Sequence, residues 1–438
     1  MIRSIFMRKN YTIFNEQSIS DFPFVDEDTE AAEFLKSPGN FRPFDQGLTE
    51  LLEKKQFPGD LDSPYEKADY LTARLREIQS DIGSETVYSW FAGKHRPKVE
   101  PGSRIRMYEI CFALRLTLSE TVWFFHHVYY DRCFNCHTIE EAVFYFSFLH
   151  GISYPKALKI IDSIRSVDTG ETAAEAPGPD YTRFVQDRIT QFQTTQELQA
   201  FLLYNRPAFR MWNHSALASI QKLLSEITGD SHSKSAIEHL KRTLIRHTQS
   251  GSGMRLNPSC ENDIRQCGLL LRELWQDAKQ DHASAAEYVL EAVRGKNTLK
   301  NTFVLDRLLS TVTGMSKNPD IPYIVRNNFP SKKVLSDVLD ASKVTASRSY
   351  DSIRKTLVLL DFYVFWVCVK LGITDVTDYD QEERAQIYRD EADARLYDCG
   401  YEPLYAGNPY DWIFLCAAQN EEPLTFFRGM VAELLPDG

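Results

Sequence analysis

Apolar residues recur along most of this chain at spacings of three and four, which is the period of an amphipathic helix. The pattern is almost continuous from Pro64 to Ser166, and it returns in several segments between Tyr181 and Arg294. Alternation of apolar and polar residues with hairpin turns, the pattern of a half-buried strand, is nearly absent. The periodicity therefore predicts an all-α fold built from helical hairpins, some of them repeat-like.

Segments rich in glycine, proline and small polar residues divide this pattern into domains. The stretch SVDTGETAAEAPGPD has the composition of a linker, and residues 1–28 lack a clear helical period, which predicts a loosely packed arm. The predicted organisation in chain order is an arm with short helices (1–63), a helix-turn-helix bundle with a helical hairpin (64–165), the linker (166–180), a central helical domain (181–318) and a C-terminal helical module (319–438).

The segment from Tyr70 to Leu118 carries the signals of two short helices joined by a tight turn. The inward positions predicted for these helices are Leu71, Leu75, Ile78, Val87, Trp90 and Phe91. Gly83 can take the positive φ that a tight turn needs, and Ser84 follows it at an N-cap position. Gly93 is placed to end the second helix. This arrangement predicts a helix-turn-helix.

The run SETVYSWFAGKHRP (84–97), followed by ICFALRLTLSET (110–121), resembles the XRE family of Cro-like repressors over roughly 50 residues. The resemblance implies a bacterial or mobile-element transcription regulator that binds double-stranded DNA as a dimer, with residues 84–91 as the recognition helix. The implied groove contacts are Ser84, Glu85, Thr86, Tyr88 and Ser89. The implied phosphate contacts are Lys94, His95, Arg96, Lys98, Arg104 and Arg106.

Charge limits how such a protein could hold DNA. The net charge of -11 repels phosphate at long range, so binding requires a local basic patch, and residues 94–106 contain five Lys or Arg against one acidic residue. The expected recognition helix, however, carries the carboxylate of Glu85 and has no Lys, Arg, Gln or Asn. The alternative hypothesis is an all-helical adaptor that keeps the helix-turn-helix fold and binds a protein. In either case the helical body could sense a small molecule or peptide.

The two ends of the chain resemble each other. Residues 134–154 align with 404–424 at an offset of 270, and residues 84–94 align with 331–341 at an offset of 247, which places Arg104–Leu114 on Asp351–Asp361. One interpretation is a duplicated module with a degenerate second helix-turn-helix. Its candidate phosphate contacts are Lys332, Lys333 and Lys343. The other interpretation is that any two amphipathic hairpins can be aligned.

The remaining candidate chemistry is weak. Cys133, Cys136 and His137 have the spacing of a zinc half-site, to which His126 or His127 could add a ligand, but packing at a helical corner is the favoured interpretation. Phosphate-binding glycine loops, H-E-x-x-H and nucleophile-elbow motifs are missing, which predicts a non-enzyme without a cofactor.

The expected location is cytoplasmic, with no membrane contact. Charged residues interrupt the N-terminus before the apolar core of a signal peptide can form. The longest apolar stretch, Leu357–Leu371, contains Asp361 and Lys370 and is too short to cross a bilayer. This stretch therefore predicts a buried core helix.

Overall fold

Helices form all the regular structure in the part of the chain that the computed structural model describes. The described residues are 10–37, 39–97, 101–136, 138–167, 181–209, 214–228, 350–370 and 374–434. No strand occurs among them, which confirms the all-α prediction. Most of the predicted linker and of the predicted central domain lies outside the described residues.

The first nine helices precede the linker. They are α1 (Tyr11–Ser18), α2 (Asp28–Lys36), α3 (Phe44–Lys54), α4 (Pro64–Glu77), α5 (Ser84–Phe91), α6 (Pro101–Ala113), α7 (Leu118–Phe124), α8 (Ile139–His150) and α9 (Tyr154–Arg165). A 3-10 turn (Val25–Glu27) precedes α2, and a π-helical turn (Phe125–Tyr129) continues α7.

The helices described after the linker are α10 (Tyr181–Gln191), α11 (Thr195–Tyr204), α12 (Arg206–Phe209), α13 (His214–Thr228), α14 (Tyr350–Lys370), α15 (Gln381–Asp398), α16 (Pro409–Gln419) and α17 (Pro423–Leu434). Side-chain caps fix several helix starts. The Thr117 and Thr194 hydroxyls each accept a hydrogen bond from the backbone N–H three residues further on, at Glu120 and Glu197, and the carboxylates of these glutamates accept from the threonine N–H groups in return. These capping boxes set the phase of α7 and α11.

Two hydrophobic cores organise these helices into two modules. The N-terminal module comprises the described residues of 44–209, and its core includes Trp90, Tyr108, Phe125 and Phe144. The C-terminal module comprises the described residues of 10–41, 214–228 and 350–434. Of the helices within the predicted central domain, α10 and α11 therefore pack with the first core, whereas α13 packs with the second, on α14.

The N-terminal arm is an integral part of the C-terminal module, in contrast to the loose packing expected from its sequence. Trp412 donates a hydrogen bond to the Ser18 hydroxyl at 2.8 Å, and Phe34 stacks on the same indole with ring centroids 4.8 Å apart. Arg389 forms an ion pair with Glu16 at 3.0 Å. Phe22 also packs against this indole, which is distant in sequence from both phenylalanines, so no local pattern could predict where they are buried.

The apolar stretch near residue 360 is a core helix, as predicted. Every residue of α14 from Ile353 to Trp366 is buried. Within the described ranges, no helix has the length and hydropathy of a bilayer-spanning segment.

The packing of the arm makes a stability prediction. Leu35 in α2 is fully buried in the second core, so Leu35→Ala should lower the free energy of unfolding by about 2–5 kcal/mol. Ile13 in α1 is 54 % exposed, and Ile13→Ala should change the free energy of unfolding by less than about 0.5 kcal/mol. Urea denaturation measures both, and equal small effects would contradict an integrated arm.

Candidate nucleic-acid interface

Helices α4 and α5 form a packed pair joined by residues 78–83. Helix α5 also contacts α3, and its Val87, Trp90 and Phe91 side chains are buried in the first core. These are the inward positions that the sequence predicted for this helix. The opposite side of α5 is therefore the side available to a ligand.

The turn before α5 differs in detail from the prediction. Gln79, with φ +63°, takes the left-handed conformation, whereas Gly83 has φ -68° and occupies the N-cap position itself. Ser84 is consequently the first helical residue and not the cap. Gly93, with φ +65°, follows the C-cap as expected.

A buried carboxylate holds this turn against the rest of the module. Glu109 in α6 accepts hydrogen bonds from the Ser80 hydroxyl and from the Tyr154 hydroxyl at 2.9 Å. Ser80 in turn accepts a bond from the Ile82 backbone N–H at 3.2 Å. Glu109 therefore links the turn that presents α5 to the first residue of α9.

The outward side of α5 carries the residues expected to face a groove. Ser84 and Glu85 are exposed, and Thr86, Tyr88 and Ser89 are half-buried. The Ser89 hydroxyl already has a partner within the helix, because it donates a hydrogen bond to the Thr86 carbonyl at 2.7 Å.

Tyr88 belongs to a small aromatic surface beside α5. Its ring stacks on Tyr65, with centroids 4.6 Å apart and planes 28° apart, and Tyr65 is 66 % exposed. The Lys94 ammonium lies 5.4 Å from the centroid of the Tyr88 ring. This geometry keeps a cation next to the outward face of the helix.

Two of the expected phosphate contacts are buried, and this corrects the sequence interpretation. Arg96 is 5 % exposed; it donates a hydrogen bond to the Val128 carbonyl at 3.0 Å, and its guanidinium lies 4.2 Å from the centroid of the Tyr130 ring. Arg104 is 2 % exposed. Neither guanidinium is positioned to reach a phosphate.

Arg104 is instead the centre of an internal ion-pair network. It pairs with Asp131, donates a hydrogen bond to Glu141 Oε1 at 2.7 Å, and donates another to the Arg132 carbonyl at 3.0 Å. A buried guanidinium needs such partners because removing an unpaired charge from water is costly. The sequence spacing could have indicated this burial, because Arg104 lies on the same helical face as the buried Tyr108 and Cys111.

The basic patch is thus smaller than the sequence suggested. Lys94, His95 and Arg106 are exposed, as are the carboxylates of Asp81 and Glu85 near the start of α5. Lys98 lies outside the described residues.

The candidate zinc ligands are not arranged as a metal centre in the described structure. Cys133 and Cys136 are buried, and burial raises the pKa of both thiols well above the ordinary value. No group of three His, Cys, Asp or Glu side chains among the described residues could hold a metal ion. His137 lies outside the described residues.

Arg104 and Arg106 offer a matched comparison. Arg104→Met should leave Asp131 and Glu141 buried without their cation and lower the free energy of unfolding by about 3–5 kcal/mol. Arg106→Met, two residues along the same helix but exposed, should change it by less than about 0.5 kcal/mol. Chemical denaturation tests both, and similar values for the two variants would mean that Arg104 is not the centre of a stabilising network.

A second prediction concerns pH. Burial, with repulsion from His126 and Arg42, lowers the pKa of His127 from 6.5 to about 4. Between these values the unfolded chain binds a proton that the folded chain does not, so His127 makes the free energy of unfolding fall as the pH decreases through this window. His127→Gln should remove that contribution. The difference between wild type and variant, measured by urea denaturation from pH 7.5 to 4, should therefore change with pH; a constant difference would contradict this assignment.

No protein-family model, curated protein or solved structure matches this chain. The resemblance to Cro-like repressors therefore stays a prediction from the motif in residues 84–121.

Proposed function

We propose that this chain is a sequence-specific DNA-binding regulator that docks α5 into the major groove of a duplex. The observation that carries this proposal is the one-sided packing of α5, whose apolar face is buried while Ser84 and Glu85 stay exposed. In helix-turn-helix proteins the second helix enters the major groove with its N-terminal residues at the base edges. Helices α4 and α5 would play these two parts.

The chemistry of this face suits a few direct contacts. Serine and threonine hydroxyls can bond to any base edge, and Glu85 can accept from a cytosine amino group. Gly83 has no side chain to cap α5, so the first-turn N–H groups are available to a phosphate. Lys94 and Arg106 would add phosphate contacts.

A protein partner is the second candidate, and the burial of Arg96 and Arg104 favours it. These two guanidinium groups are inside the module. The exposed carboxylates of Asp81 and Glu85 therefore lie near the start of α5 without the surplus of positive charge that would attract a duplex. On this alternative, the Tyr65–Tyr88 surface would be the apolar centre of the contact.

We also propose that the two modules descend from a duplicated unit, in which α6–α9 correspond to α14–α17. Each unit buries one arginine in its first helix. Arg354 forms a bidentate ion pair with Asp411, with both N–O distances 2.7 Å, and donates to the Glu402 carbonyl at 3.1 Å. Glu402 and Asp411 lie 270 residues beyond Arg132 and Glu141, the corresponding partners of Arg104.

The hairpins that follow support the same offset. The position just after α7 and its π-helical turn is left-handed Tyr130, and its counterpart after α15 is left-handed Gly400. Buried positions of α8 and α9 recur in α16 and α17 at 270 residues. The pairs are Ala142 and Trp412, Val143 and Ile413, Phe144 and Phe414, Tyr154 and Leu424, Ala157 and Phe427, Ile160 and Met430, Ile161 and Val431, and Ile164 and Leu434.

The first helices of the two units match at an offset of 250 residues, and this differs from the offset of 247 inferred from sequence. Arg104 corresponds to Arg354, and the edge-on Phe112–Phe144 pair, with centroids 5.5 Å apart, corresponds to Phe362–Phe414 at 5.4 Å. The two offsets differ by three residues, nearly one helical turn, and a shift of this size preserves the apolar stripe of a helix. Lys332, Lys333 and Lys343 lie outside the described residues.

The DNA proposal is tested by salt-dependent binding. Lys94→Glu with Arg106→Glu should weaken binding to fluorescent duplexes and reduce the slope of log affinity against log salt by about two, because two phosphate contacts are lost. Lys159→Glu with Arg188→Glu changes the net charge equally at exposed positions of α9 and α10 and should affect the slope much less.

Two outcomes would overturn the proposal. One is the absence of duplex binding by the wild-type chain at low salt, which would favour the protein-partner alternative. The other is an equal loss of affinity in the two double variants, which would show that only the total charge matters.

A further inference from the structure

The contact between the two modules is reciprocal. His126 Nδ1, in the π-helical turn after α7, lies 2.7 Å from Glu402 Oε1. In the opposite direction, the Arg132 guanidinium lies 5.1 Å from the centroid of the Tyr397 ring, near the end of α15.

These two contacts join equivalent places of the two units. At the 270-residue offset, Glu402 corresponds to Arg132, and Tyr397 corresponds to His127, the neighbour of His126. The end of the second helix in each unit therefore touches the loop that follows that helix in the other unit. Such exchange of the same two surface elements defines the two-fold, isologous interface of a homodimer.

Further contacts join the two modules at this interface. The Tyr405 hydroxyl, on a side chain that is 7 % exposed, lies 3.0 Å from His127 Nδ1 and 3.2 Å from Thr12 Oγ1. Tyr11 donates a hydrogen bond to Gln46 Oε1 at 2.8 Å, which links the arm to α3. The loops that meet here are the ones fixed by the buried arginines, since Arg104 bonds to residue 132 and Arg354 to residue 402.

We infer that the chain is a covalent pseudo-dimer: the surface with which one unit would pair with a second copy is occupied by the other unit of the same chain. A chain of this kind remains a monomer, because the tether makes the internal contact far more concentrated than any partner in solution. The pseudo-dimer rests on the duplication proposed above and does not require DNA binding.

The first test is independent of DNA. Sedimentation equilibrium of the full chain should give the monomer mass of 50.5 kDa across the micromolar range. A stable dimer would overturn the inference.

Glu402→Lys tests whether this interface holds the two units together within one chain. Placing a cation beside His126 should loosen the modules and free the paired surfaces, so that chains associate and the sedimentation mass rises with concentration. Asp398→Lys makes the same change of charge at an exposed position nearby and should leave the mass at that of the monomer. Equal behaviour of the two variants would contradict the role of the interface.

Discussion

The burial of one positive charge, that of Arg104, constrains much of the N-terminal module. A guanidinium removed from water must be matched by carboxylates, and Asp131 and Glu141 supply them from elements 27 and 37 residues away. Satisfying the arginine therefore fixes the loop after α7 over α6 and orients the first turn of α8. The same burial removes a cation from the surface, so the requirement that stabilises the module also weakens its attraction for phosphate.

Arg354 imposes the corresponding constraint on the C-terminal module. Its bidentate contact with Asp411 sets the first turn of α16, and its bond to the Glu402 carbonyl holds the loop before that helix. This loop carries the Glu402 and Tyr405 side chains that meet His126 and His127. The buried ion pair of each module thus positions the surface that contacts the other module. Internal electrostatics and the arrangement of the modules are consequently linked.

Sequence reasoning succeeded where structure is local and failed where it is not. The helical period predicted α5, the inward position of Trp90 and the buried helix near residue 360, because each depends on neighbours within a few turns. It could not pair Arg104 with Asp131, since no local pattern connects them. The burial of the arm depends on Trp412, almost 400 residues away. At the candidate interface, the sequence predicted helix α5 and its inward side chains but overestimated the exposed positive charge near it.

That smaller charge changes what the proposed interface would contribute to DNA binding. Phosphate contacts supply affinity for any sequence, whereas hydrogen bonds to base edges distinguish one sequence from another. With Arg96 and Arg104 inside the module, Lys94 and Arg106 remain exposed, and the Lys94 ammonium lies beside Tyr88 of α5. Binding to arbitrary DNA by one such face would be weak, and the acidic body would weaken it further.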